Sequence, residues 1–252
     1  GSPIDRYSEL AATETKRAAD FCEFWQRNAT KTYLEYTTDI EDNYDLTKAV
    51  VDSESLDWHS DAFLGIDEGL LHLCLDRFDS VPELDFPNEV PAIRRVVQRR
   101  MDCFWFQDGR ADYWSVLNHG LSVIDKASDA IDSIEAEAYS TEELAEEYTE
   151  QWWEIDAAYR NYIQSASSLI QAIDGLEDAR AVITGFYTRF LKALNRDLAD
   201  KIQSEPVPSS PQTGFWDRYV EASSGTAIIV CDALRYELAR ELVDNLDELD
   251  AE

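Results

Sequence analysis

The residues best placed to do chemistry lie together near the C-terminal end, in the run Thr226-Ala-Ile-Ile-Val-Cys-Asp-Ala-Leu-Arg-Tyr-Glu237. A β-branched apolar stretch stops at Asp232, and a helical pattern follows through Leu238, Ala239, Leu242 and Val243. This predicts a buried strand that delivers a carboxylate to its C-terminal end, the edge where open α/β sheets place their ligands. A carboxylate there can help hold a divalent metal ion. It can also accept backbone N–H bonds as the N-cap of the next helix, and spacing leaves both roles open. Arg235 and Glu237 follow within one helical turn. Arg235 could touch a phosphate or pair with Glu237, Glu241 or a neighbouring element, and neither residue is assigned a catalytic role. No Gly-x-Gly-x-x-Gly or Gly-x-x-x-x-Gly-Lys follows the strand, so a nucleotide-cradling loop has no support.

The elements that must position these residues are almost all helical. Apolar residues recur at threes and fours over residues 3–28, 31–52, 61–79, 91–107, 110–138, 141–173 and 176–203. Asp108-Gly109 and Asp174-Gly175 read as turns, and Thr141 reads as an N-cap with acids after it. The long helices on either side of Asp174-Gly175 should run antiparallel. The aromatic stripe Trp152, Trp153, Tyr159 and Tyr162 could stack on bases, but without neighbouring cations it reads as core. Residues 206–214, rich in proline and serine, form a linker. The expected fold class is therefore mainly α. A bundle-like helical region over 1–205 is followed, over 215–252, by the first strand–helix unit of an α/β domain. Only twenty residues separate Asp232 from Glu252, too few for the further strands and crossover helices of a parallel sheet. The α/β domain is expected to be truncated and its active site incomplete.

Composition narrows the function classes. The 252 residues carry 52 acids against 22 Lys and Arg, a formal net charge of −30, with 44% hydrophobic residues. Enough apolar surface is present to offset chain entropy. Acids spread along the whole length mark a protein of a salt-accumulating halophile, in preference to a dedicated acidic partner surface. They also argue against direct nucleic-acid binding, which needs clustered cations. The one basic cluster, Arg94, Arg95, Arg99 and Arg100, is read as neutralising acids on neighbouring helices rather than as a phosphate site. Cys22, Cys74, Cys103 and Cys231 form no paired motif and are expected to be buried reduced thiols of a cytoplasmic protein. His59, His72 and His119 have no zinc-like spacing. No run of eighteen apolar residues occurs, so no membrane association is expected.

The string Val230-Cys-Asp-Ala-Leu-Arg-Tyr-Glu237 resembles the Asp-Ala-Leu-Arg-Tyr-Glu signature of the PglZ family, alkaline-phosphatase-superfamily proteins of BREX phage-defence systems. Looser matches lie upstream: Arg99-Arg100 with Phe104-Trp105 and Tyr113-Trp114, the segment Tyr148 to Tyr162, and Phe215-Trp-Asp-Arg-Tyr219. The resemblance covers roughly residues 90–243 and implies an alkaline-phosphatase-like α/β domain in the parent. That parent would be a metal-dependent phosphatase or phosphodiesterase with two divalent metal ions, zinc being the expected metal, and Asp232 as one ligand. The nucleophile and remaining ligands would lie beyond Glu252, so residues 1–252 alone are expected to be inactive and to bind no metal. The implied partners are other BREX components, a methyltransferase and small accessory proteins. The alternative is that the helical region is a scaffold that docks those components.

Overall fold

The computed structural model describes residues 12–170, 172–205, 231–232 and 234–250. Among the described residues the chain is mainly α, with no strand. The helices are α1 (Ala12–Asn28), α2 (Thr30–Tyr44), α3 (Leu46–Asp52), α4 (Leu64–Ser80), α5 (Val90–Met101), α6 (Ala111–Ala136), α7 (Thr141–Glu147), α8 (Trp153–Ala166), α9 (Leu176–Lys201) and α10 (Tyr236–Asp250). The predicted strand and linker lie outside the described residues, apart from Cys231 and Asp232, which stand in irregular chain and a turn.

Most helix boundaries fall within a few residues of those the periodicity predicts, and the departures have local causes. The stretch read as one helix over 31–52 breaks at Asp45, whose φ of 45° is left-handed. A short acidic side chain tolerates that conformation, and the Asp45 carboxylate accepts from the Lys48 N–H to open α3. Asp108-Gly109 is a turn, with Gly109 at φ 96°. Ser140, not Thr141, caps α7: its hydroxyl accepts from Glu143 N–H while the Glu143 carboxylate takes the Ser140 N–H. The helix read over 141–173 contains a π turn at Tyr148–Trp152 and ends at Ala166. Gly175, at φ 82°, makes the turn into α9.

The chain divides into two compact units, Gly1–Leu121 with Tyr162–Ile183, and Ser122–Asn161 with Thr184–Glu252. In the first, α4 buries Ile66, Leu70, Leu71, Leu73, Cys74, Leu75 and Phe78, and ten of its seventeen residues are buried, which makes it the central helix. Its Gly69 allows α3 to cross closely, since a Cβ there would stand 2.6 Å from Val50 Cβ. Phe78 stacks on Phe86 at 4.2 Å, and Ile93, Val96 and Val97 of α5 complete that wall. Of the four cysteines only Cys74 is fully buried; Cys22 and Cys103 are half-buried and Cys231 is exposed. Burial alone drives the Cys74 thiol up to about 12, which leaves it inert.

Two arginines of α5, Arg99 and Arg100, also donate to backbone carbonyls. The irregular segment between α3 and α4 has backbone carbonyls that no helix satisfies, and buried carbonyls need donors. Arg99 Nη2 donates to Leu56 O at 2.9 Å, and Arg100 Nη2 donates to Ser60 O at 3.0 Å and Trp58 O at 3.3 Å. Trp105 Nε1 and Gln26 Nε2 both donate to Asp61 O, and the Tyr33 hydroxyl donates to Ala62 O. Arg99 and Arg100 thus cradle a loop as well as facing acids: Arg99 Nη1 lies 3.9 Å from Asp57 Oδ1, and Arg100 favours the charged form of Asp67. Arg100 is almost completely buried, and so is Asp67, which accepts from Trp114 Nε1 at 3.0 Å and from Arg110 Nε at 3.4 Å.

In the second unit α8 runs antiparallel to α9. Trp152 meets Phe190 edge-on, and Tyr159 stacks on Tyr187 with ring centroids 3.9 Å apart and planes within 10°. Trp152 also packs edge-on against Tyr139. The aromatic stripe is used for packing, as its spacing suggests.

Candidate functional site

The apolar faces of α8 and α9 carry one buried acid. Asp156 lies one helical turn from both Trp152 and Tyr159 and is only 4% exposed. The Tyr148 hydroxyl donates to Asp156 Oδ2 at 2.7 Å and the Tyr187 hydroxyl donates to Oδ1 at 2.5 Å. Tyr148 and Asp156 are eight residues apart. The π turn at Tyr148–Trp152 holds one residue more than an α-turn, which brings the two onto one face as a spacing of seven would in a regular helix. Burial, and then the neighbouring Asp156 carboxylate, push Tyr148 well above the ordinary phenol range and Tyr187 up to about 12. Both hydroxyls therefore stay protonated and donate.

The third donor to Asp156 is Arg235, from the segment singled out in the sequence. Its Nη2 donates to Asp156 Oδ1 at 2.9 Å, and its Nε stands 2.9 Å from Glu237 Oε1. Arg235 is held more firmly protonated than usual, first by Tyr187 and then by the Glu237 and Asp156 carboxylates. Glu237 is fully buried, and although Arg235 faces it, neither of its oxygens has a hydrogen bond. Three further contacts hold α10 nearby. Arg160 pairs with Glu241, the Tyr236 hydroxyl donates to Thr149 O at 3.1 Å, and Arg240 lies over the Trp153 ring at 5.6 Å. Polar contacts of α10 thus face α8, while Leu242, Val243 and Leu246 are about half exposed.

Asp232 stands apart from this cluster. It is exposed, in a turn, and α10 begins four residues later at Tyr236. The N-cap alternative for Asp232 is accordingly displaced. Of the three residues picked from sequence, Arg235 meets Asp156, Glu237 faces Arg235, and Asp232 lies three residues before Arg235 with no part in the cluster. Among the described residues no group of three or more His, Cys, Asp or Glu side chains could hold a metal ion. Asp232 is an exposed carboxylate in a turn, and a metal centre does not assemble from the described residues alone.

Two other features do not include the Asp156 cluster. A cleft of about 520 Å³ in the second unit is lined by Lys126, Asp129, Tyr139, Glu147, Trp152 and Glu154, among others; Lys126 pairs with Glu154 inside it. It holds none of the residues from the Asp232 segment. In the first unit His119 Nδ1 lies 2.9 Å from Ser165 Oγ, tying α6 to α8, and burial lowers the imidazole pKa. Sequence reasoning missed Tyr148, Asp156 and Tyr187 as site residues. The readable signal was an acid at a position where Trp152 and Tyr159 place a buried face.

No family model, no curated protein and no solved structure matches this chain. Among the described residues no helix is long and apolar enough to cross a membrane.

Proposed function

We propose that the chain is the helical region and opening segment of a PglZ-type metal-dependent phosphoesterase, with Asp232 as one metal ligand and the helical region as the platform for the segment that carries it. The observation that carries this reading is the string Asp232-Ala-Leu-Arg-Tyr-Glu237, intact, with Arg235, the residue before α10, donating to the buried acid Asp156. Bound divalent ions would polarise a phosphoryl oxygen and stabilise both the attacking and leaving oxygens. The nucleophile and the other ligands would come from sequence beyond Glu252. The setting is cytoplasmic, in a salt-accumulating cell, beside other BREX components.

The experiment is hydrolysis of an aryl phosphate ester, with zinc or manganese added, by residues 1–252 and by the complete reading frame. The complete protein should turn the ester over and residues 1–252 should not. Asp232→Asn in the complete protein should lower the rate by about 100-fold or more, as loss of a metal ligand does. Turnover by residues 1–252 alone, or an unimpaired Asp232→Asn protein, would defeat the reading. A second reading, a docking scaffold, is favoured by large exposed apolar side chains on α1 and α2, namely Phe21, Phe24, Tyr36 and Tyr44. Under that reading the complete protein captures the BREX methyltransferase at high salt through residues 1–205 and hydrolyses nothing.

A further inference from the structure

We infer that Asp156 is a positioning residue for the phosphoesterase site: through Arg235 it fixes the turn that presents Asp232, so the helical region is a working part of the catalytic assembly. The inference rests on the reading of Asp232 as a metal ligand.

Asp156 is 4% exposed and takes three donors, from Tyr148, Tyr187 and Arg235, with both carboxylate oxygens in use. Two of those donors are tyrosines whose hydroxyls stay protonated, so the carboxylate is aimed before Arg235 arrives. The Arg235 side chain is about half exposed, while the acids on either side of it, Asp156 and Glu237, are buried. Withdrawing the Arg235 guanidinium would leave Glu237 buried without its cation and Asp156 with two tyrosine donors in place of three donors. Arg235 is three residues after Asp232, so clamping its side chain limits how far the Asp232 turn can move. Such outer contacts matter because a ligand displaced by about 1 Å loses much of its contribution to metal affinity and rate. The forked guanidinium of Arg235 reaches both acids at once, with Nη2 on Asp156 and Nε facing Glu237, a two-sided grip that a lysine cannot make.

The test uses the complete protein with wild-type, Asp156→Asn, Asp156→Glu and Arg235→Lys sequences. Two quantities are read: metal-stimulated aryl phosphate hydrolysis, split into kcat and KM, and amide hydrogen exchange over α10. Asp156→Asn and Arg235→Lys should each lower kcat or metal affinity by about 10–100-fold with KM little changed. Both should speed exchange at the start of α10 by roughly tenfold while α4 keeps its protection. Asp156→Glu should recover part of both. If the wild type is active and Asp156→Asn keeps both kcat and metal affinity within about twofold, the inference is wrong and the phosphoesterase reading stands. Lost activity with unchanged α10 exchange also overturns it, because Asp156 would then act by another route. If the wild type shows no metal-stimulated hydrolysis, the phosphoesterase reading falls and the inference falls with it.

Discussion

Moving this protein from about 2 M to about 0.1 M KCl should unfold most of its helix, because the screening length grows from roughly 2–3 Å to about 10 Å and the surface acids begin to repel one another. With 52 acids and 22 Lys and Arg, most carboxylates cannot find a cation of their own. The pairs on the outer helices, such as Arg27–Glu23 and Lys31–Glu35, are more than half exposed at both ends, so each adds little. Stability must then come from burial of apolar side chains, opposed by repulsion that only salt removes. Circular dichroism at 222 nm against KCl concentration should give a cooperative loss as salt falls, with no partner present. An unchanged melting temperature between the two salts would show that the acids serve a partner surface and not a saline cytoplasm.

Arg100→Met should destabilise the first unit by about 2–5 kcal/mol, a large share of the stability of a typical domain. Methionine fills much of the same volume, so the loss isolates the guanidinium. Trp58 O and Ser60 O would lose their donor inside the protein, and nearby Asp67 would lose a cation that favours its charged form. The pKa of Asp67 is already raised, chiefly by burial, with Trp114, Arg100 and Arg110 opposing that rise. A carboxyl whose folded pKa is raised favours the fold most at low pH, and that advantage fades as pH climbs through the folded value. Removing Arg100 raises it further, so the deficit of the variant should grow from acidic to neutral pH. Urea melts at several pH values measure this. A flat deficit would mean Arg100 acts on the loop carbonyls alone, and a deficit below about 0.5 kcal/mol would deny it any structural role.

The helices were legible because their apolar residues recur at 3.6-residue spacing over long stretches, and the turns at Gly109 and Gly175 because only glycine sits easily at positive φ. The break at Asp45 was not, since a single acidic residue in the left-handed region leaves the apolar periodicity on either side intact. Nor was the role of Arg99 and Arg100. Their partners are carbonyls of residues 56, 58 and 60, some forty positions away, and no local pattern announces which backbone groups a loop leaves unsatisfied. At the candidate site the sequence supplied Arg235 and Glu237 but left the pairing of Arg235 open, and burial decided it. Asp156 is an acid on an otherwise apolar face, a pattern that can be read in advance but that names no partner. The role of the Tyr148–Trp152 segment depends on one extra residue in a helical turn, which periodicity over a long helix averages away.

A buried acid of the helical region grips the segment bearing Asp232, and a double-mutant cycle between Asp156 and Arg235 tests that grip most directly. Thermal or urea unfolding of wild type, Asp156→Asn, Arg235→Met and the double variant, all at high salt, gives the coupling energy. The contact geometry predicts that the two losses overlap by about 1 kcal/mol or more, as for residues in one hydrogen-bonded network. Losses that add to within about 0.3–0.5 kcal/mol would mean that the two side chains do not hold each other, and the helical region would then have no hold on Asp232 through this pair.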